Sequence, residues 1–154
     1  MQPINLAEKL AQFTTHWDPH VIADYNENEV MVVKFQGAFP FHLHEDTDDF
    51  FLVLDGEMTM DLDGQSHPVK AGELFIVPKG VTHRPRAENE CKVLLIEPKG
   101  EPNTGDPATA APKPRICPFI VPKICPPEAP ESHAARPAKR DHGHTWPQGW
   151  QRPG

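Results

Sequence analysis

The chain has 154 residues, of which 24% are charged, with a formal net charge of −7, a size that bounds it at one domain with an appendage. Residues 1–100 hold 8 Lys and Arg against 17 Asp and Glu, a net of −9, whereas residues 101–154 hold 7 against 5, a net of +2. An acidic body excludes a phosphate-backbone surface, which needs clustered Lys and Arg, and 3 cysteines are too few for a disulfide framework.

The N-terminus "MQPINLAEKL" lacks the basic and apolar regions of a signal peptide. No run approaches the roughly 18 apolar residues of a membrane span. The expectation is a cytoplasmic protein with neither membrane nor nucleic acid as partner. In "INLAEKLAQF", Leu6, Leu10 and Phe13 recur at helical spacing, and Asn5 with Glu8 three residues on reads as a capped start. Residues 1–19 are therefore one short helix and a lead-in.

From residue 20 the apolar period becomes two. "VIADY", "EVMVVKF", "PFHLHE", "DFFLVLD", "EMTMDLD", "QSHPVK", "ELFIVP", "VTHRPRA" and "CKVLLIEP" read as short strands between turn signals. Asp55-Gly56 and Asp63-Gly64 are two-residue hairpin candidates. Alternation turns Met58, Met60 and Leu62 inward and Glu57, Thr59 and Asp61 outward. Phe35, Phe39, Phe51, Phe75 and Val77 are predicted core, and His16, His20 and His67 are predicted exposed. Arg84 and Arg86 are predicted to face solvent. Many short strands with little helix give an all-β sandwich or barrel over residues 20–100.

Twelve of the 19 prolines fall in residues 101–154. A segment of that composition cannot bury enough apolar surface to offset chain ordering, which predicts a largely disordered tail. Its patch "ICPFIVPKIC" is the one stretch able to dock on the domain or on a partner. The tail's "HGH", His142 and His144, reads as a solvated feature.

The chemistry concentrates in "FHLHEDTDDFFLVLDG". His42 and His44, two apart on an extended segment, share a face, and Asp49 heads the next strand. His83 closes "GELFIVPKGVTH". In an antiparallel barrel these segments can converge. Ionisable groups against so apolar a run are costly unless paired, hydrogen-bonded or metal-bound. Three imidazoles and a carboxylate suit Fe, Mn, Ni, Cu or Zn, leaving positions open for water or substrate. Glu45 and Asp48 are alternative carboxylates. Cys91 starts the last strand with no base in view, so no nucleophilic role is assigned.

"GAFPFHLHEDTDDFFLVLDG" resembles the first cupin motif and "GELFIVPKGVTH" the second. The sequence is similar to small single-domain bacterial cupins ending in "LLIEPKG" and "NTGD". The resemblance implies a jelly-roll barrel holding one divalent metal at His42, His44, Asp49 and His83. Such cupins are mostly of unassigned function; the open positions on the metal give the preferred reading, a small-molecule enzyme of dioxygenase or isomerase type, the alternative being a non-enzymatic module that binds or senses a small ligand. A third reading is a structural unit with the tail as adaptor. Pairing of edge strands into a homodimer is expected of such barrels. No catalytic residue and no organic cofactor is assigned.

Overall fold

A computed structural model describes residues 2–116. The expectations for the rest of the tail, including Cys117, Cys125 and the "HGH" histidines, lie outside the described residues. One helix and seven strands follow in order: α1 (Leu6–Leu10), β1 (His20–Tyr25), β2 (Asn28–Ala38), β3 (Asp49–Asp55), β4 (Glu57–Leu62), β5 (Gln65–Lys70), β6 (Leu74–Val77) and β7 (His83–Pro98). The architecture is the all-β jelly-roll barrel the sequence predicts, with one short N-terminal helix. No helix among the described residues is long and apolar enough to cross a membrane.

Helix α1 begins where predicted. The Asn5 side chain accepts from the Ala7 and Glu8 amides, a cap whose removal typically costs about 1 kcal/mol. Its Leu10 packs with Phe13, Ile22 and Val32 on the outer face of the sheet. His20 departs from its predicted exposure, because the Phe13 ring stacks on it at 3.9 Å and leaves it 9% exposed.

All strand pairings are antiparallel, in the order β1-β2-β7-β3-β6, with β4 bridging β7 and β5. The organiser is β7. Sequence alternation divides it into two strands, 81–87 and 91–98, yet it runs unbroken. Its first half pairs β4 from Thr59↔Arg86 to Leu62↔His83, its second half pairs β3 from Phe50↔Ile96 to Val53↔Val93, and β2 lies along both. The polar residues Glu88, Asn89 and Glu90, which look like a turn, are the exposed outer bend of this strand, where its register against β2 shifts.

The two hairpin candidates part ways. Asp63 and Gly64 have φ of 51° and 72° and join Leu62 to its partner Gln65, as a two-residue hairpin requires. Asp55-Gly56 is a corner instead, for β3 and β4 pair with β7 and not with each other. Gly56 is needed there because a Cβ would stand 2.9 Å from the Glu90 carbonyl oxygen. "PFHLHE" also departs from prediction. Its only ladder contact is the bridge His42↔His83, and Pro40 has no N–H to extend the pairing.

Val53, Met58, Met60 and Val93 are buried at the centre of the inward core. The run "FFLVL" is apolar on both faces for two reasons. Phe51 and Val53 point into the barrel, while outward Phe50 and Leu52 lie in register between Ile76 and Leu74 on β6 and Ile96 and Leu94 on β7. Leu74 and Ile76 remain 56% and 49% exposed.

Asp61 points outward as predicted but is only 8% exposed. It accepts hydrogen bonds from Ser66 Oγ (2.6 Å), Arg84 (2.9 and 3.1 Å) and Arg86 (3.0 Å), so both arginines pair with it rather than standing free in solvent. The Ser66 bond foremost, then the two guanidinium groups, hold its carboxyl down at about 2 against the opposing effect of burial. Asp61→Ala strands two neighbouring guanidinium groups and is expected to lower stability by about 1.5–3 kcal/mol at neutral pH. A carboxyl depressed on folding stabilises above its unfolded value, 3.8, and loses that contribution as pH falls through about 2. Urea unfolding should show the gap between wild type and variant steady down to about pH 4 and closing below it. A gap that is unchanged at acid pH would refute the assignment.

Candidate metal centre

His42 and His83 are locked face to face by a reciprocal backbone pair, His42 N–H to His83 O at 3.0 Å and His83 N–H to His42 O at 2.9 Å. Their ring centroids are 4.3 Å apart. The Gly80 amide donates to the His44 carbonyl at 2.7 Å, joining the turn before β7 to the second histidine. Asp49 opens β3 opposite Val77. Four donor atoms, one each from His42, His44, Asp49 and His83, lie within 4.8 Å of one another. The structure therefore brings the four residues singled out in the sequence to one point. His44, Asp49 and His83 are 2%, 4% and 1% exposed.

Accounting for the ring nitrogens gives the direction of each imidazole. Nδ1 of His42 meets Pro40 O at 3.1 Å, Nδ1 of His83 meets Val81 O at 3.0 Å, and Nδ1 of His44 meets Glu101 Oε1 at 2.9 Å. Each partner is an acceptor, so each Nδ1 carries a proton, and each Nε2 is the nitrogen turned to the cluster. Asp49 Oδ2 stands 3.2 Å from His83 Nε2 and 3.6 Å from His44 Nε2. His44 Nε2 and Asp49 Oδ1 have no hydrogen-bond partner. A buried polar atom left unpaired costs about 1–3 kcal/mol, and two such atoms facing one centre fit a cation that would satisfy both. Burial foremost, with coulombic repulsion between the His42 and His83 imidazoles, pushes His42 down to about 4. It is thus neutral at physiological pH, the ligating form.

The alternative carboxylates do not join the cluster. Asp48 Oδ1 accepts from the Lys79 amide at 3.0 Å, and Glu45 is exposed. A different pair of acids does surround the site. Glu97, 3% exposed on the inward row of β7, holds Lys113 Nζ. Burial pushes its carboxyl up, with Lys113 opposing and Asp49 adding. The Lys113 ammonium also reaches the Glu101 carbonyl at 2.5 Å. Glu97 had a readable signal, since alternation from Val93 through Leu95 places it on the core row. Glu101 and Lys113 had none, because both belong to the segment predicted as disordered tail.

Residues 101–116 instead run back over the barrel. Pro114 O accepts from Val21 N–H at 2.9 Å, and Val21 O accepts from Ile116 N–H at 2.8 Å. Ile116 packs beside α1. These docking contacts supply the hydrogen bonds and apolar burial that proline-rich composition alone does not reveal.

Beside the four donors is a small cavity of about 30 Å³ that opens to solvent. Phe35, Phe39, Phe51 and Leu95 make its walls apolar, and Glu97 and Asn103 add polar edges next to His42 and Asp49. Trp17, from the lead-in, completes the wall. It stacks on Phe35 at 4.4 Å with its indole N–H tied to Gln36 O at 2.8 Å.

Residues 29–97 match the family model described as "Cupin domain". Over 79 residues the chain is 34% identical to the uncharacterized protein YdbB of Bacillus subtilis (strain 168), covering 51% of this chain and 70% of that one. A 52-residue match, 38% identical, links it to quercetin 2,3-dioxygenase of the same organism, over 34% of this chain and only 15% of that protein. The crystal structure of a cupin-2 domain containing protein from Shewanella frigidimarina superposes with a TM-score of 0.62 at 42% identity, covering 62% of this chain and 94% of that one.

Proposed function

The chain belongs to the cupin family, and on that premise we propose that it binds one divalent metal through His42, His44, Asp49 and His83 and transforms a small molecule beside it. The observation that carries this reading is the pair of orphaned buried atoms, His44 Nε2 and Asp49 Oδ1, in a cluster whose His42 and Asp49 line a cavity. Protein ligands from four side chains leave positions for a substrate oxygen. A bound metal of this kind supplies Lewis-acid polarisation and, if it is iron, redox chemistry with dioxygen. The partial match to quercetin 2,3-dioxygenase supports the oxidative version.

The chain's own residues define what the substrate meets. Aromatic and aliphatic walls at Phe35, Phe39, Phe51 and Leu95 favour a flat, largely apolar body and exclude water from it. Glu97, in the same cavity, is the acceptor available for a substrate hydroxyl or an acidic C–H proton. Lys113 on its Oε2 opposes the effect of burial, which still leaves that carboxyl above the ordinary carboxylate range. A catechol, flavonol or β-diketone combines adjacent oxygens with such a body.

The full chain, loaded separately with Fe(II), Mn(II), Ni(II), Cu(II) and Zn(II), should take up near-stoichiometric metal. Oxygen uptake and product formation are then measured with catechol, flavonol and β-diketone panels. Turnover with any of them would establish an enzyme, and tight binding without conversion would favour the sensing module. A folded chain that takes up none of the five metals would sink the proposal.

A further inference from the structure

The three imidazoles do not solve their Nδ1 problem alike. His42 and His83 each bond the carbonyl two residues earlier, Pro40 O and Val81 O, a local solution that their own backbone supplies. For His44 the carbonyl two residues earlier is that of His42, and it is already taken by the His83 amide at 2.9 Å. His44 Nδ1 instead meets a side chain 57 residues away, Glu101, at 2.9 Å. Glu101 lies outside the barrel strands and beyond the family match at residues 29–97.

The segment carrying Glu101 is anchored at several points. Lys113 Nζ grips the Glu101 carbonyl and the Glu97 carboxylate. Asn103 Oδ1 accepts from the Ala111 amide at 2.9 Å, closing the segment on itself. Gly105 sits directly on the Leu43 carbonyl, between the two histidines of the first pair. Beyond Lys113, the chain is stitched to β1 through Pro114 and Ile116.

We infer that residues 101–113 are a strap that completes the metal centre from outside the barrel, with Glu101 as the positioning residue that orients His44 Nε2 toward the metal. This rests on the metal-binding reading above. A carboxylate on the distal nitrogen of a ligating imidazole fixes ring and tautomer, and losing such a partner typically costs about 10- to 100-fold in metal affinity. Glu101 does not touch the donors' common centre, so its effect runs through His44 alone.

The test titrates Zn(II) alone into the full-length wild type and two variants of similar side-chain size. Glu101→Gln keeps an oxygen that can accept from Nδ1–H, and Glu101→Leu keeps only volume. The expected result is an affinity loss of about 10- to 100-fold in the Leu variant, recovery to within a few-fold in the Gln variant, and equal metal-free melting temperatures for all three proteins. Wild-type affinity in Glu101→Leu would overturn the inference while leaving the metal reading intact. So would equal losses in both variants, or a metal-free melting temperature that falls in step with affinity, since either assigns Glu101 to the fold alone. A wild type that binds no Zn(II), nor any other of the five metals, would remove both.

Discussion

Asp49→Asn is expected to cost at least about 100-fold in metal affinity while leaving the metal-free protein as stable as wild type or more so. Asp49 is the sole carboxylate among the four converging donors, so its neutralisation removes the formal anionic charge facing the cation. The magnitude follows because an indirect partner is already worth about 10- to 100-fold, and a direct ligand exceeds it. Stability moves the other way for a reason visible in the structure. Asp49 is 4% exposed, one of its oxygens is unpaired, and it adds unfavourably to the buried Glu97 carboxylate. An isosteric neutral amide relieves that repulsion without opening a cavity.

Thermal unfolding with and without metal checks both halves. At a metal concentration of 100 times the wild-type Kd, binding stabilises wild type by about 2.7 kcal/mol, and a 100-fold weaker variant would gain only about 0.4 kcal/mol. An unchanged metal-induced increment in Asp49→Asn would remove Asp49 from the ligand set. A large fall in metal-free stability would make it a structural residue of the apolar core instead.

Gly105→Ala is expected to loosen the strap and weaken the metal centre together. Gly105 has φ of 70°, and an added Cβ would lie 1.9 Å from Leu43 O. That obstacle is backbone, not a side-chain end that can swing away. The left-handed conformation alone costs an L-residue about 1–2 kcal/mol, and relieving the overlap must lift residues 102–106 away from the His42–His44 segment. Gly100→Ala is the control. Its φ of 78° is equally left-handed, but nothing lies within 4 Å of its Cβ. It should therefore show the backbone cost alone, with metal affinity preserved. Equal behaviour of the two variants in unfolding and in metal titration would show that the Leu43 contact holds nothing in place.

Much of the barrel was legible because its signals are local. Period-two alternation marked β1 to β6 and both halves of β7, and Asn5 marked the start of α1. Asp63-Gly64 marked a true hairpin, since the turn's φ values and its partners Leu62 and Gln65 are set by neighbours in sequence. Asp55-Gly56 carries an equivalent signal and is something else. Whether a glycine turns a hairpin or passes under another strand depends on what occupies the space beside it, here Glu90, 34 residues on. The burial of His20 and Asp61 is of the same kind: the Phe13 ring covers the first, and Arg84 and Arg86 cover the second.

The four converging residues themselves were readable because costly groups stand out against apolar sequence. His42, His44, Asp49 and His83 sit where burial is forced by their strand neighbours, so their chemistry must be satisfied collectively. By itself the sequence determined the all-β class, the short capped helix and the four residues that needed one another, because each rests on periodicity, capping or an ionisable group in an apolar run. Tertiary structure alone decided which acids surround the four, that Trp17 walls the cavity, and that residues 101–116 close over the barrel. Those contacts join residues tens of positions apart, and no spacing along a chain encodes which distant side chain meets His44 Nδ1.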